Sequence, residues 1–260
     1  MRKCLLSVIF LALSAAVDGS DHVPAAGGDI EITPIIFASV QVEHGGKVVQ
    51  VDPWSAGDLS GAKPADLILI TDDLAHHLDV KAIERLRKPG APIVMPASGK
   101  VKIPDGIVLP NGEHTTAAGV PVESIAAYDI KPGAPEHPKG DANGYVIALG
   151  GKRIYFAGVT ECVPEVQALK NIEVAFMPMN IPPGRMTPAA VAECVKIFRP
   201  KIVYLYHHDP DYTARLANSQ APPRGVPGGL TIAQTVEAFR NALKGSGIEF
   251  RDGAWFPPRP

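Results

Sequence analysis

The run Leu67-Ile68-Leu69-Ile70 is apolar without alternation and stops abruptly at Thr71, where Thr71-Asp72-Asp73-Leu74-Ala75-His76-His77-Leu78-Asp79 begins. An unalternating run of this length suits a strand covered on both faces, so the chain must build a sheet with further layers on either side. The strand then delivers carboxylates and imidazoles to its end. Adjacent imidazoles at the end of a buried strand are the nitrogen donors that a borderline metal such as zinc prefers. The same residues also read as a capped helix start, with Asp72 or Asp73 accepting backbone N–H groups for a helix from about His77 to Leu86.

The pattern recurs further along. Ile202 to Tyr206 reads as a buried strand running into His207-His208-Asp209, and Lys131 to Asn143 is a long loop with almost no apolar content and His137 in its middle. A loop of that length inside a compact domain is often functional. A lone histidine is usually a surface or core residue, but several reaching one sheet mouth can converge on a metal that keeps a position open for water. His22, His44 and His114 read as exposed turn residues.

Between these points the chain alternates strands and helices. Ile30 to Pro34 and Ala38 to Glu43 form a hairpin, the turn His44-Gly45-Gly46-Lys47 follows, and Val48 to Val51 returns to Asp52-Pro53-Trp54. Val80 to Arg87 has helical spacing, Ile93 to Met95 is a short strand, and Gly99 to Ile130 breaks into short β-prone pieces. Gly144 to Leu149 and Arg153 to Ala157 pair about Gly150-Gly151, leading to Gly158-Val159-Thr160. A short helix over Val163 to Leu169 and a strand over Glu173 to Met179 precede a helix that Thr187 and Pro188 open and Phe198 closes. Ala214 to Gly229 is a Pro/Gly-rich loop, Thr231 to Leu243 a helix, and Ile248 to Phe250 a last strand.

Composition narrows the class of partner. With 25 Lys plus Arg against 27 Asp plus Glu, the net charge of -2 offers no basic field for nucleic acid or anionic lipid. Residues 1–20 have Arg2 and Lys3, an apolar stretch from Leu5 to Leu13, and small residues at Ser14 to Ala16, which is the pattern of a signal peptide. Residues 21–28 then read as a linker and 29–260 as the folded domain. The expected location is periplasmic or secreted, with no membrane contact after cleavage, because no later apolar stretch reaches about 20 residues. Cys162 and Cys194 read as two buried free thiols, although an oxidising compartment would let them pair.

Val51-Asp52-Pro53-Trp54, the stretch Ile68 to Asp79, His137-Pro138-Lys139-Gly140 with Asn143-Gly144-Tyr145, Ile154 to Thr160, and Tyr204-Leu205-Tyr206-His207 occur in an order that resembles the metallo-β-lactamase-fold hydrolases. The branch they resemble is that of zinc-dependent hydrolases similar to ascorbate-6-phosphate lactonases. The resemblance covers roughly Ile30 to Tyr212. It implies an α/β protein built as a four-layer αββα sandwich with its site on one edge. It also implies a metal site drawn from Asp72, His76, His77, His137 and His207. The family's central loop reads H-x-H-x-D-H; here Asp72 stands first, Leu74 replaces the second histidine, His76 replaces the aspartate and His77 matches the last histidine. Val159 stands where the family has the aspartate that bridges two metals, and Phe37 occupies a spot where close relatives often carry histidine.

Leucine and valine have no lone pair to donate and would crowd a cation, so the expected site holds at most one zinc with three or four protein ligands and a water. The implied reaction is hydrolysis of an ester, lactone or phosphoester bond in a small molecule, with His76 as general base. The competing expectation is a catalytically inactive pseudoenzyme that binds a ligand through the same cleft. Asp52 and Trp54 are expected to serve packing and loop hydrogen bonding, and Asn143 with Tyr145 either to orient the His137 loop or to be structural. Recognition falls to side loops such as Gly99 to Asn111 and Ala214 to Gly229, which declare no clear chemistry. Nothing in the sequence speaks to oligomeric state.

Overall fold

Two seven-stranded sheets form the inner layers of the computed structural model, which describes residues 20–131, 135–181, 184–209, 229–253 and 255. The first sheet runs in chain order: β1 (Asp21–Val23), β2 (Ile30–Ile36), β3 (Ser39–His44), β4 (Lys47–Val51), β5 (Leu67–Leu69), β6 (Ile93–Met95) and β7 (Ile107–Val108). Strands β1 to β4 pair antiparallel and β4 to β7 parallel. The second sheet contains β8 (His114–Ala117), β9 (Val120–Ala127), β10 (Ala142–Leu149), β11 (Lys152–Phe156), β12 (Ile172–Pro178), β13 (Ile202–Tyr206) and β14 (Glu249–Arg251). It repeats the plan, antiparallel through β11 and parallel from there to β14.

Among the described residues there are four α-helices, α1 (Val80–Leu86), α2 (Pro164–Gln167), α3 (Pro188–Phe198) and α4 (Ile232–Ala242), and a 3-10 turn over Ala97–Val101. The sandwich follows from how the strands bury both faces. Leu67 and Leu69 of β5 join Val40, Val49 and Val51 in a core shared with Tyr145, Phe156, Phe176 and Tyr204 of the opposite sheet. Ile68 points the other way and packs with Ile93, Met95, Leu78 and Ile83 of α1. On the far side, Tyr155, Ala175, Met177, Val203 and Leu205 meet Val191, Val195 and Phe198 of α3 and Val236 and Phe239 of α4. That two-sided burial is why β5, β13 and, after Glu173, β12 read as apolar runs. Phe156, Phe176 and Tyr204 stack in sequence across three strands, with ring centroids 4.9 and 4.8 Å apart.

Several local expectations need correction. Asp21–Val23 is not a linker: it pairs with Ile30–Ile32 as β1, and Tyr204 Oη donates to Asp21 at 2.6 Å, fastening this segment to the opposite sheet. His22 therefore lies in a strand and His114 opens β8; both are exposed. Helix α1 begins at Val80 rather than His77, and its cap is Asp79, whose carboxylate accepts from Lys81 N and Ala82 N. Asp72 accepts instead from Leu74 N at 2.8 Å, shaping the loop before the helix. Cys162 and Cys194 are not free thiols but a disulfide that ties the segment after β11 to α3. Residues 1–19 of the expected signal peptide (1–20) and all but the last residue of the 214–229 loop lie outside the described residues. Among the described residues no helix is long and apolar enough to cross a membrane.

Candidate metal centre

Parallel pairing of β4 with β5 places Val51 opposite Leu69, so the residues that follow, Asp52 and Thr71, emerge together at one end of the sheet. Asp52 is fully buried and takes a left-handed backbone, φ 43°. Its Oδ1 accepts from Thr71 N at 2.8 Å, and its Oδ2 accepts from Thr71 Oγ1 and faces His77 Nδ1 at 2.7 Å. His77 is itself fully buried, and its Nε2 has no hydrogen-bond partner. With the Nδ1 proton committed to Asp52, the Nε2 lone pair is left facing the site, the arrangement in which a carboxylate orients a metal-binding histidine.

His207 reaches the same place from the end of β13. Its backbone is left-handed, φ 48°, and its N–H donates to the carbonyl of Phe37, itself at φ 54°. Left-handed conformations in bulky residues are costly and persist where the surroundings enforce them, which is common at functional sites. Here three of them converge. His76, His77 and His207 bring ring nitrogens within 4.8 Å of one another, and His76 Nε2 lies 3.4 Å from His207 Nε2. Phe37 closes one side, its ring centroid 4.0 Å from that of His207 and 5.3 Å from that of His76, with Trp54 6.1 Å from His76.

The cluster is electrically suited to a cation. Burial, reinforced by the neighbouring His77 and His137, holds the pKa of His76 down to about 2. Burial likewise pushes His207 well below its ordinary value, with His77 and His76 adding to the effect. Both rings are therefore neutral lone-pair donors at ordinary pH. For His77 burial also opposes protonation, but the Asp52 carboxylate, with Asp72 behind it, outweighs that and raises the pKa. An N–H at Nε2 would be buried without an acceptor, whereas a lone pair there has a use beside a cation.

The other two residues of the expected set stand beside this trio rather than in it. His137 Nε2 lies 3.6 Å from Asp72 Oδ2, both side chains being almost buried. Leu74 is 45% exposed and Val159 only 1%. Asn143 and Tyr145 do not orient the His137 loop: Asn143 N donates to Thr71 O and Tyr145 Oη to Ile70 O, so both brace the end of β5. Gly158, at φ +66°, allows this close approach, since a Cβ there would meet Asn143 O at 2.7 Å. Asp52 does more than serve packing and loop hydrogen bonds, because it sets the orientation of His77. Its placement beside Thr71 could have been read from the chain only by assuming that β4 and β5 are parallel neighbours.

Residues 31–207 match the family described as a beta-lactamase superfamily domain. A UPF0173 metal-dependent hydrolase of Thermococcus onnurineus is 31% identical over 181 residues, which span 64% of this chain and 79% of that protein. A solved structure of a Parabacteroides distasonis protein assigned to the metal-dependent hydrolases is 33% identical, with a TM-score of 0.76 over 91% of this chain and 98% of that one. Igni18, a metallo hydrolase of Ignicoccus hospitalis, shares the fold at 20% identity and a TM-score of 0.64, over 86% of this chain and 94% of its own. The chain belongs to the beta-lactamase superfamily and, within it, to the metallo-β-lactamase-fold hydrolases.

Proposed function

We propose that His76, His77 and His207 hold a single divalent cation and that the chain hydrolyses an ester, lactone or phosphoester bond in a small molecule. The observation that carries this reading is the buried, unpartnered Nε2 of His77, aimed by Asp52 into a cluster of neutral imidazoles. Three imidazole nitrogens with room for a further ligand suit zinc. When bound, such a cation supplies Lewis acidity, which lowers the pKa of water towards neutrality and polarises the oxygen of the bond to be broken. The chain's own residues do the rest. Asp52 fixes His77, Phe37 and Trp54 pack their rings against the cluster, and the Asp72–His137 pair at its side is placed to accept a proton or to donate a fourth ligand. His76, with its Nε2 facing that of His207, serves in this reading as a ligand rather than as the general base.

Val159, at the place where the resemblance puts a bridging aspartate, and Leu74 contribute no donor of their own, so in this reading the site holds one ion rather than two. The same two residues favour a second reading, a non-catalytic binding module that uses the cleft without hydrolysis. Export fits the Cys162–Cys194 disulfide, since such bridges persist in oxidising compartments. The test is turnover of p-nitrophenyl acetate, a simple lactone and bis-p-nitrophenyl phosphate by zinc-supplied and chelator-treated protein. Zinc-dependent hydrolysis of at least one that disappears in His207→Ala supports the enzyme; indifference of all three to zinc and to the substitution favours the binding module.

A further inference from the structure

Beside His137 lies a charge cluster, centred on the buried Arg185–Asp129 pair, that the reaction does not use. Arg185 is 3% exposed at its side chain and pairs with Asp129, 2% exposed, through Nη1; its Nη2 donates to Glu136 at 3.1 Å, and Nε lies 3.9 Å from Glu161. Asp129 closes the loop that carries His137. Its N–H donates to His137 O at 3.0 Å, and its Oδ2 accepts from Glu136 N at 2.8 Å and His137 N at 2.9 Å. The same oxygen stands 3.7 Å from His137 Nδ1, with Nε2 on the opposite side of the ring towards Asp72.

Arg185 is anchored on the other side of the site. Its backbone N–H donates to Ile181 O, and Asn180 N donates to Met186 O, pairing these residues after β12. Asn180 Nδ2 then donates to His208 O and to Thr235 Oγ1 of α4, each at 3.0 Å. The loop that carries Arg185 is thus fastened to the residue next to His207, and its guanidinium reaches across to the loop of His137.

We propose that Arg185 is a positioning residue of this site: acting through Asp129, it sets the His137 loop, and with it the Asp72–His137 pair, relative to the strand end that carries His207. The proposal rests on the reading that these histidines form the working site, and it adds to it what keeps two independent chain segments in register. A guanidinium suits the task because its fork can engage Asp129 and Glu136 together, which a lysine ammonium cannot reproduce with the same geometry.

The test is residue-resolved amide hydrogen exchange on the metal-free full chain, with the ring 15N signals of His137 and His77 recorded in parallel. In Arg185→Met, exchange at Glu136 and His137 is expected to accelerate by about tenfold or more, because their acceptor Asp129 loses its buried partner. The Thr71 amide, which donates to Asp52 instead, should keep its protection. The ring signals of His137 should shift and those of His77 should not, and Arg185→Lys should restore part of both effects. If Arg185→Met does not fold, Asp129→Asn removes the charge at constant shape and should give the same local pattern. Unchanged exchange at residues 136 and 137, or an equal rise at Thr71, would overturn the proposal. Because both readouts are taken without metal, failure of the hydrolase reading leaves this result intact.

Discussion

Asp52→Asn is expected to abolish tight metal binding while leaving most of the fold in place. The amide oxygen can still accept from Thr71 N, as the carboxylate does at 2.8 Å, but the amide nitrogen would then face His77 Nδ1. A donor meeting Nδ1 forces the imidazole proton onto Nε2 and removes the lone pair the cluster needs. Loss of an orienting partner of this kind typically costs about 10–100-fold in metal affinity, and an inverted tautomer belongs at or beyond the upper end. Asp52→Ala should be harsher on stability. It leaves the Thr71 N–H buried without its acceptor and His77 Nδ1 with only Thr71 Oγ1, 3.1 Å away, in place of a carboxylate, at a cost of about 3–5 kcal/mol. Zinc titration against a chromophoric chelator, together with urea denaturation of both variants, measures the two effects. Wild-type zinc affinity in Asp52→Asn would show that His77 does not bind through Nε2.

The second large effect concerns the bridge between Cys162 and Cys194, which closes a sequence separation of 32. A cross-link over a loop of that size is expected to stabilise by roughly 3–4 kcal/mol, mainly by restricting the unfolded chain. The bridge ties α3, on which Cys194 is 1% exposed, to the segment where Thr160 Oγ1 accepts from Tyr128 N and Glu161 N donates to Tyr128 O. Cys162→Ala with Cys194→Ala should therefore lower the urea midpoint substantially, and the oxidised wild type should show no free thiol from either residue before denaturation or after it. Equal midpoints with and without reductant would mean that the two cysteines are not bridged in the protein studied.

How much of this was legible beforehand depends on the range of the interaction. Strands β5 and β13 announced themselves because each is buried on both faces and leads to histidine, β13 directly and β5 through a short loop, and α3 because Thr187 and Pro188 form a local start signal that the structure uses as a cap and first turn. The sandwich followed from the resemblance. Strand β1 was missed because three residues of mixed polarity carry no period, and what secures them is distant: Tyr204 and Arg251 reach back to Asp21 and His22. The role of Asp52 was missed because tautomer control needs two strands brought side by side. Arg185 and Asp129 are 56 positions apart and lie in loops, so neither carried a local signal. The split of the five expected ligand residues into a trio and a flanking pair likewise depends on where the His137 loop is pinned.

The most direct test of the account is the metal content of the purified chain, measured by elemental analysis after dialysis against metal-free buffer and again after zinc is supplied. The predicted result is about one zinc per chain, from three imidazole donors, retained through a second dialysis and lost in His77→Ala and His207→Ala. No retained zinc under either condition, or zinc that survives both substitutions, would contradict it.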